Sequence, residues 1–249
     1  GASPFLAAPD GALAFSRRTS NRKQEPGPQS GVGSPGKEAR ISERGAGLST
    51  LIEMLSYSPT QGTTENTVLG PFYAAGSPER ALGESMLQDD DPGDRVVVRG
   101  TVTAPDGTPL AGVVLDCWQS NTDGYYQVQE LDGQSLYNLR GIYRSDDEGR
   151  YEIRTVRPGK YPIPHDGPVG QLLKANNRGW MRPGHLHTWV KHPGYKELIT
   201  HIFDRKSDHL YDDAVFGVRD TPHGTMLVRQ GTEAHVAGES DVARDAHRG

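Results

Sequence analysis

Turn-forming residues interrupt this chain so often that few segments can extend as one long helix or strand. Its 249 residues include 31 glycines and 18 prolines, together about a fifth of the total. Glycine carries a high ordering cost inside regular elements, and proline fixes φ and removes a backbone donor. Such spacing argues against a helical bundle and for short strands joined by turns. From Arg95 onward the pattern is explicit. The Val-rich run Arg95–Thr103 leads into the turn Ala104-Pro105-Asp106-Gly107-Thr108 and a second strand over Gly112–Trp118. Gly141–Arg144, the turn Asp146-Asp147-Glu148-Gly149 and Tyr151–Val156 read as a hairpin. His185–Lys191 and Met226–Gln230 read as further strands, and Glu197–Phe203 fits either strand or helix. The predicted fold is mainly β, a β-sandwich over residues 94–238, with one or two short helices before it.

The segment before the strands differs in kind. Residues 1–45 hold seven Lys/Arg against four Asp/Glu and runs such as Glu25-Pro26-Gly27-Pro28. Such a segment has little to bury against its ordering entropy and is expected to form a disordered arm. Leu48, Leu51, Ile52 and Leu55 recur at helical spacing, so Leu48–Leu55 is a predicted amphipathic helix. Residues 46–93 are read as a helical and linker segment contributing to a pocket, and 239–249 as a flexible tail.

Composition excludes several classes. Cys117 is the only cysteine, so neither an intrachain disulfide nor a cysteine-based metal cluster is possible, and a cytoplasmic setting is expected. Cys117 sits mid-strand beside Trp118 and reads as a buried core thiol. The net charge of -5 gives no reason to expect nucleic acid, and no apolar run approaches membrane-spanning length.

His185-Leu186-His187 invites a chemical reading, because residues two apart in a strand share a face and two imidazoles can converge on one point. Alone, the pair fits surface histidines as well as metal ligands. Gly124-Tyr125-Tyr126 follows a strand, and Tyr161-Pro162-Ile163-Pro164 is held extended by its prolines. A tyrosine in either place serves equally as a packing lid. His165, His192, His209, His223, His235 and His247 have no partner spacing and are expected at the surface.

In combination these segments resemble the intradiol ring-cleavage dioxygenases. The resemblance is carried by Asp116-Cys117-Trp118-Gln119-Ser120-Asn121-Thr122-Asp123-Gly124-Tyr125-Tyr126, Asn138-Leu139-Arg140-Gly141, Tyr161–Gly170, Arg182-Pro183-Gly184-His185-Leu186-His187 and Asp213-Ala214-Val215-Phe216-Gly217-Val218. These run in order over about two thirds of the chain. The resemblance implies one non-haem Fe(III) held by Tyr126, Tyr161, His185 and His187, with Tyr125 packed in the core. It implies O2-dependent cleavage of a catechol-type ring between adjacent hydroxyls, with Tyr161 as displaceable ligand and base and Arg182 stabilising negative charge on the ring. His201 stands where many catechol-cleaving relatives carry Gln, which implies a hydrogen-bonding place beside the substrate.

Val68, Leu69, Gly70, Pro71, Phe72, Ile163, Pro164 and Val215 resemble the pocket segments of hydroxyquinol-cleaving members. Hydroxyquinol is therefore the expected substrate, giving 3-hydroxy-cis,cis-muconate (maleylacetate), with catechol or chlorocatechol as the alternative. Family members normally carry an N-terminal helical domain at a dimer interface. Here Gly47–Tyr57 resembles its last helix, and a homodimer is implied. Two other classes compete: a non-catalytic β-sandwich binding module, and a zinc site, for which phenolate donors are unusual.

Overall fold

The computed structural model describes residues 13–14, 48–56, 63–129, 133–218 and 225–226. The first short strand, β1 (Leu13–Ala14), pairs parallel with β2 (Arg95–Thr103). Helix α1 covers Leu48–Ser56, and the strands continue with β3 (Val114–Gln119), β4 (Arg140–Arg144) and β5 (Arg150–Val156). Then come β6 (Tyr161–Pro162), helix α2 (Pro168–Ala175), β7 (Met181–Arg182), β8 (His185–Lys191), β9 (Leu198–Asp204) and β10 (Thr225–Met226). Apart from β1, the expected arm lies outside the described residues, as does the expected tail. Of the strand expected over Met226–Gln230, only Met226 is described.

Three strands, in the order β1-β2-β5, form one sheet, five, in the order β10-β9-β8-β3-β4, form a second, and β6 and β7 pair in a short two-stranded one. The predicted sandwich is the observed architecture. Its core comes from period-two alternation. Val96, Val98 and Val102 of β2 and Tyr151 and Ile153 of β5 meet Leu115 and Cys117 of β3, Leu186 and Val190 of β8, and Leu198 and Ile202 of β9. Cys117 is fully buried, and burial pushes its thiol pKa far up, as expected of a core thiol. The ambiguous segment 197–203 is a strand because its inward residues continue this layer.

The same alternation turns Trp118, His185, His187 and His201 to the opposite face of the large sheet. Trp118 pairs with His187 across β3 and β8, and His187 with His201 across β8 and β9. This outer face is covered by Leu69, Phe72 and Tyr73, which pack on the Trp118, Tyr126 and Tyr161 cluster. The covering segment holds no helix between residues 63 and 94. It bridges the edges of both sheets instead, Glu79 to Ile142 and Ser85 to Arg154.

Helix α2 was not anticipated from sequence, where Pro162 and Pro164 just before it suggested extended chain. Pro168 falls in the first helical turn, where a missing N–H costs nothing. Val169 and Leu173 bury its inner face against Ile163, Ala214 and Val215.

Candidate metal centre

Three loops bring the tyrosines and histidines together. After β3 the chain turns at Asn121–Gly124 and delivers Tyr126 inward. Tyr126 is fully buried while Tyr125 is 48% exposed, so the expectation that Tyr125 packs in the core is corrected. Adjacent residues leaving the turn point oppositely, and only the second faces the sheet. Tyr161 begins β6, whose partner across the ladder is Arg182 of β7. Two residues later β8 starts at His185.

The loops touch through backbone. Gly124 has φ of +90°, and a methyl group on it would lie 2.5 Å from the Lys160 carbonyl oxygen. A methyl group on Gly184 would lie 2.2 Å from the Pro158 carbonyl oxygen. The Gly159 amide donates to the Asn121 carbonyl at 3.0 Å. Gly124→Ala is expected to cost about 1–3 kcal/mol in backbone strain alone, with the steric conflict added. Thermal melts should show the loss, and a melting temperature equal to that of the parent would contradict this account.

The histidine tautomer follows from hydrogen bonding. His185 Nδ1 lies 2.8 Å from the Pro183 carbonyl oxygen, which can only accept, so Nδ1 carries the proton and Nε2 the lone pair. That Nε2 lies 3.1 Å from His187 Nε2 and 3.2 Å from Arg182 Nη1. Burial, and then the Arg182 charge, hold His185 well below the usual imidazole range. Burial, with His201 and His185 next, does the same to His187. Both rings are thus neutral, the state in which imidazole binds metal. His187 is fixed by stacking on Trp118, with ring centroids 4.7 Å apart, and by Gly70, where a methyl group would meet its Cε1 at 3.2 Å.

Tyr161 accepts a hydrogen bond from Arg182 Nη1 at 3.3 Å, and its ring meets Tyr126 edge-on at 5.4 Å. The Tyr126 hydroxyl is buried and makes no well-formed hydrogen bond. Burial, and then Tyr161, push its pKa well up, against the pull of the Arg182 and Arg140 charges. The donor set suits a metal ion on chemical grounds. Two neutral imidazole nitrogens 3.1 Å apart match neighbouring ligands on one ion, since bonds of about 2.0–2.1 Å place such donors roughly 3.0–3.4 Å apart. A cation would also offset the penalty on ionising the buried Tyr126 phenol.

Arg182 is itself buried, ion-paired to Asp213 with Nε 3.1 Å from Oδ1. Asp213 Oδ2 also accepts from the Gly217 amide at 2.8 Å. A second buried guanidinium, Arg140, donates to the Phe72 carbonyl at 2.7 Å. Sequence reasoning gave neither Asp213 nor Arg140 a role, although both lie within the quoted motifs. Phe72 stacks on Tyr126 at 4.5 Å between centroids, and Leu69 packs on the same cluster. Ile163 and Val215 are buried in the α2 cluster instead, while Pro71 and Pro164 are exposed. His165 is exposed and stacked on Trp180, His192 and His209 are half-buried, and His223, His235 and His247 lie outside the described residues.

Residues 68–242 match the sequence profile of a family described as Dioxygenase, a span that includes all four candidate donors. The chain belongs to the intradiol ring-cleavage dioxygenase family. Among members of this family, the hydroxyquinol 1,2-dioxygenase of Rhizobium sp. is 43% identical over 175 residues, which cover 70% of this chain and 59% of the relative. The catechol 1,2-dioxygenase of Candida albicans is also 43% identical, over 70% of this chain and 58% of the relative. The crystal structure of hydroxyquinol 1,2-dioxygenase from Pseudomonas putida DLL-E4 superposes with a TM-score of 0.70 at 42% identity, covering 75% of this chain and 64% of that one. The chain thus spans under two thirds of the length of these intradiol dioxygenases. Among the described residues, no helix is long and apolar enough to cross a membrane.

Proposed function

We propose that this chain is an Fe(III)-dependent intradiol dioxygenase that opens hydroxyquinol between its adjacent hydroxyls, incorporating both atoms of O2 to give 3-hydroxy-cis,cis-muconate. The observation that carries this reading is the convergence of two buried tyrosines and two neutral, buried histidines at one point in a chain of this family. Tyr126, Tyr161, His185 and His187 would hold the iron: phenolates are hard, anionic donors that favour the ferric state, and imidazoles complete the set. When bound, the ferric ion supplies Lewis acidity and draws electron density from the diol ring.

The chain's own residues do the rest. The Tyr161 oxygen, hydrogen-bonded by Arg182 Nη1, would take a substrate hydroxyl proton and later return it. Arg182, kept charged and oriented by Asp213, stabilises negative charge developing on the ring. Arg140 and the Phe72 ring stacked on Tyr126 hold the first tyrosine in place and keep water from it. Leu69 and Phe72 offer an apolar wall for the ring plane, and Gly70 lets the covering segment pass tight against His187. Exposed Leu51, Ile52, Met54 and Leu55 on α1 support the homodimer that the family resemblance implies.

The Candida relative favours a second reading, cleavage of catechol itself. Oxygen uptake by iron-loaded protein with hydroxyquinol, catechol and chlorocatechols, together with product identification, tests both. We expect a red to purple protein and a kcat/KM for hydroxyquinol about 10–200-fold above that for catechol, the range that pocket shape confers. A higher kcat/KM for catechol would replace the substrate assignment, and a colourless iron-loaded protein without oxygen uptake would overturn the activity.

A further inference from the structure

The pocket holds one imidazole more than the iron set uses. His201 of β9 lies directly across the ladder from His187, with ring centroids 4.2 Å from His187 and 4.9 Å from His185. It is buried, and neither of its ring nitrogens makes a well-formed hydrogen bond; burial, and then His185, hold it well below the usual imidazole range, against a weaker pull from the Val68 carbonyl. A buried polar ring in that condition calls for a partner. Among the described residues, the ligand atoms of His185, His187 and His201 form a group in which all lie within 4.8 Å of one another. Donors of a tetrahedral ion with bonds of about 2.0–2.1 Å stand roughly 3.3–3.4 Å apart, so the set closes when the His201 ring swings inward by about an ångström or more. The charge beside it is already balanced, Arg182 by Asp213.

We propose that His185, His187 and His201 form a second donor set, overlapping the first and independent of both tyrosines, which takes a divalent, nitrogen-preferring ion such as Zn(II) or Co(II). Three neutral imidazoles suit such ions, as phenolates suit the ferric ion. The site does not depend on the dioxygenase reading. Because His185 and His187 are common to both sets, one ion excludes the other, and the Arg182 contact with His185 Nε2 gives way when the divalent ion enters.

The test is a Co(II) titration of the metal-stripped full chain, followed through the d–d absorption of the bound ion, with folding checked by circular dichroism. One ion per chain is expected. Affinity should stay within about threefold in Tyr126→Phe/Tyr161→Phe and fall at least about tenfold in His201→Gln, the scale on which even a partner behind a ligand alters metal affinity. The parent protein loaded with Zn(II) provides a measurement that needs no variant: long-range 1H–15N correlation spectra should show three coordinated imidazoles. Two coordinated imidazoles would overturn the proposal, as would parental Co(II) affinity in His201→Gln or loss of Co(II) binding by a folded double tyrosine variant. Fe(III) uptake is read separately on His201→Gln. Uptake equal to the parent's is expected, and its loss would place His201 in the iron set and remove the second site.

Discussion

Alanine at His187 is expected to leave the folded protein without iron, without colour and with activity lower by more than about 100-fold, beyond the 10–100-fold typical of losing a group behind a ligand. The expectation follows from how completely the ring is committed. It is buried, stacked on Trp118, bounded by Gly70, and its Nε2 lies 3.1 Å from that of His185. Water filling the vacated space supplies a neutral oxygen where the site offered nitrogen. Metal analysis beside a visible spectrum and a circular dichroism spectrum separates lost binding from lost structure. Native iron content in His187→Ala would remove this residue from the ligand set. The tyrosines give a matched contrast: Tyr126→Phe should shift or bleach the visible band, while Tyr125→Phe, altering a half-exposed ring, should leave it unchanged. The opposite pattern would mean that the donor is Tyr125.

Asp213→Ala is expected to destabilise the fold by about 3–5 kcal/mol, since removing one member of a buried ion pair leaves the other charge unpaired. The pair is almost fully enclosed, and Asp213 also satisfies the Gly217 amide and, at 3.4 Å, the Val215 amide. For a chain of this size that corresponds to a fall in Tm of roughly 6–20 °C. The double change Arg182→Met/Asp213→Leu removes both charges for similar volume and should recover much of the stability. It should not recover turnover, because the guanidinium that hydrogen-bonds Tyr161 is gone. Thermal melts and oxygen uptake on the same proteins distinguish the two roles. An Asp213→Ala protein melting within a degree or two of the parent would show that the pair carries no such weight.

Much of the sandwich was legible because its strands alternate cleanly. Arg95–Thr103 and His185–Lys191 read from sequence with the boundaries observed, since each is bracketed by turn residues and presents one apolar face. Helix α2 was hidden because Pro168, which suits a first helical turn, follows the Pro162–Pro164 segment that reads as extended chain. The His185–His187 pair was legible from period two, but the third imidazole was not readable as part of a cluster. His201 meets His187 only through the β8–β9 register, and no local pattern specifies which residue of one strand faces which of the next. Asp213 was invisible as a partner for the same reason. It reaches Arg182 from 31 positions away, through a segment with no periodicity of its own. Leu69 and Phe72 lie against the tyrosines, while Ile163 and Val215 pack with the unforeseen helix α2.

The backbone contacts that join the donor loops also set where the chain can change length. The Lys160 carbonyl rests against Gly124 and the Pro158 carbonyl against Gly184, so one added residue in any of the three loops displaces the other two. The tip of the hairpin at Asp106-Gly107 touches nothing comparable, and a methyl group on Gly107 would meet no atom within 4 Å. Surface tips of that kind accept insertions. Length variation in this chain, natural or engineered, belongs at such tips, while the three donor loops can accommodate it only by changing together.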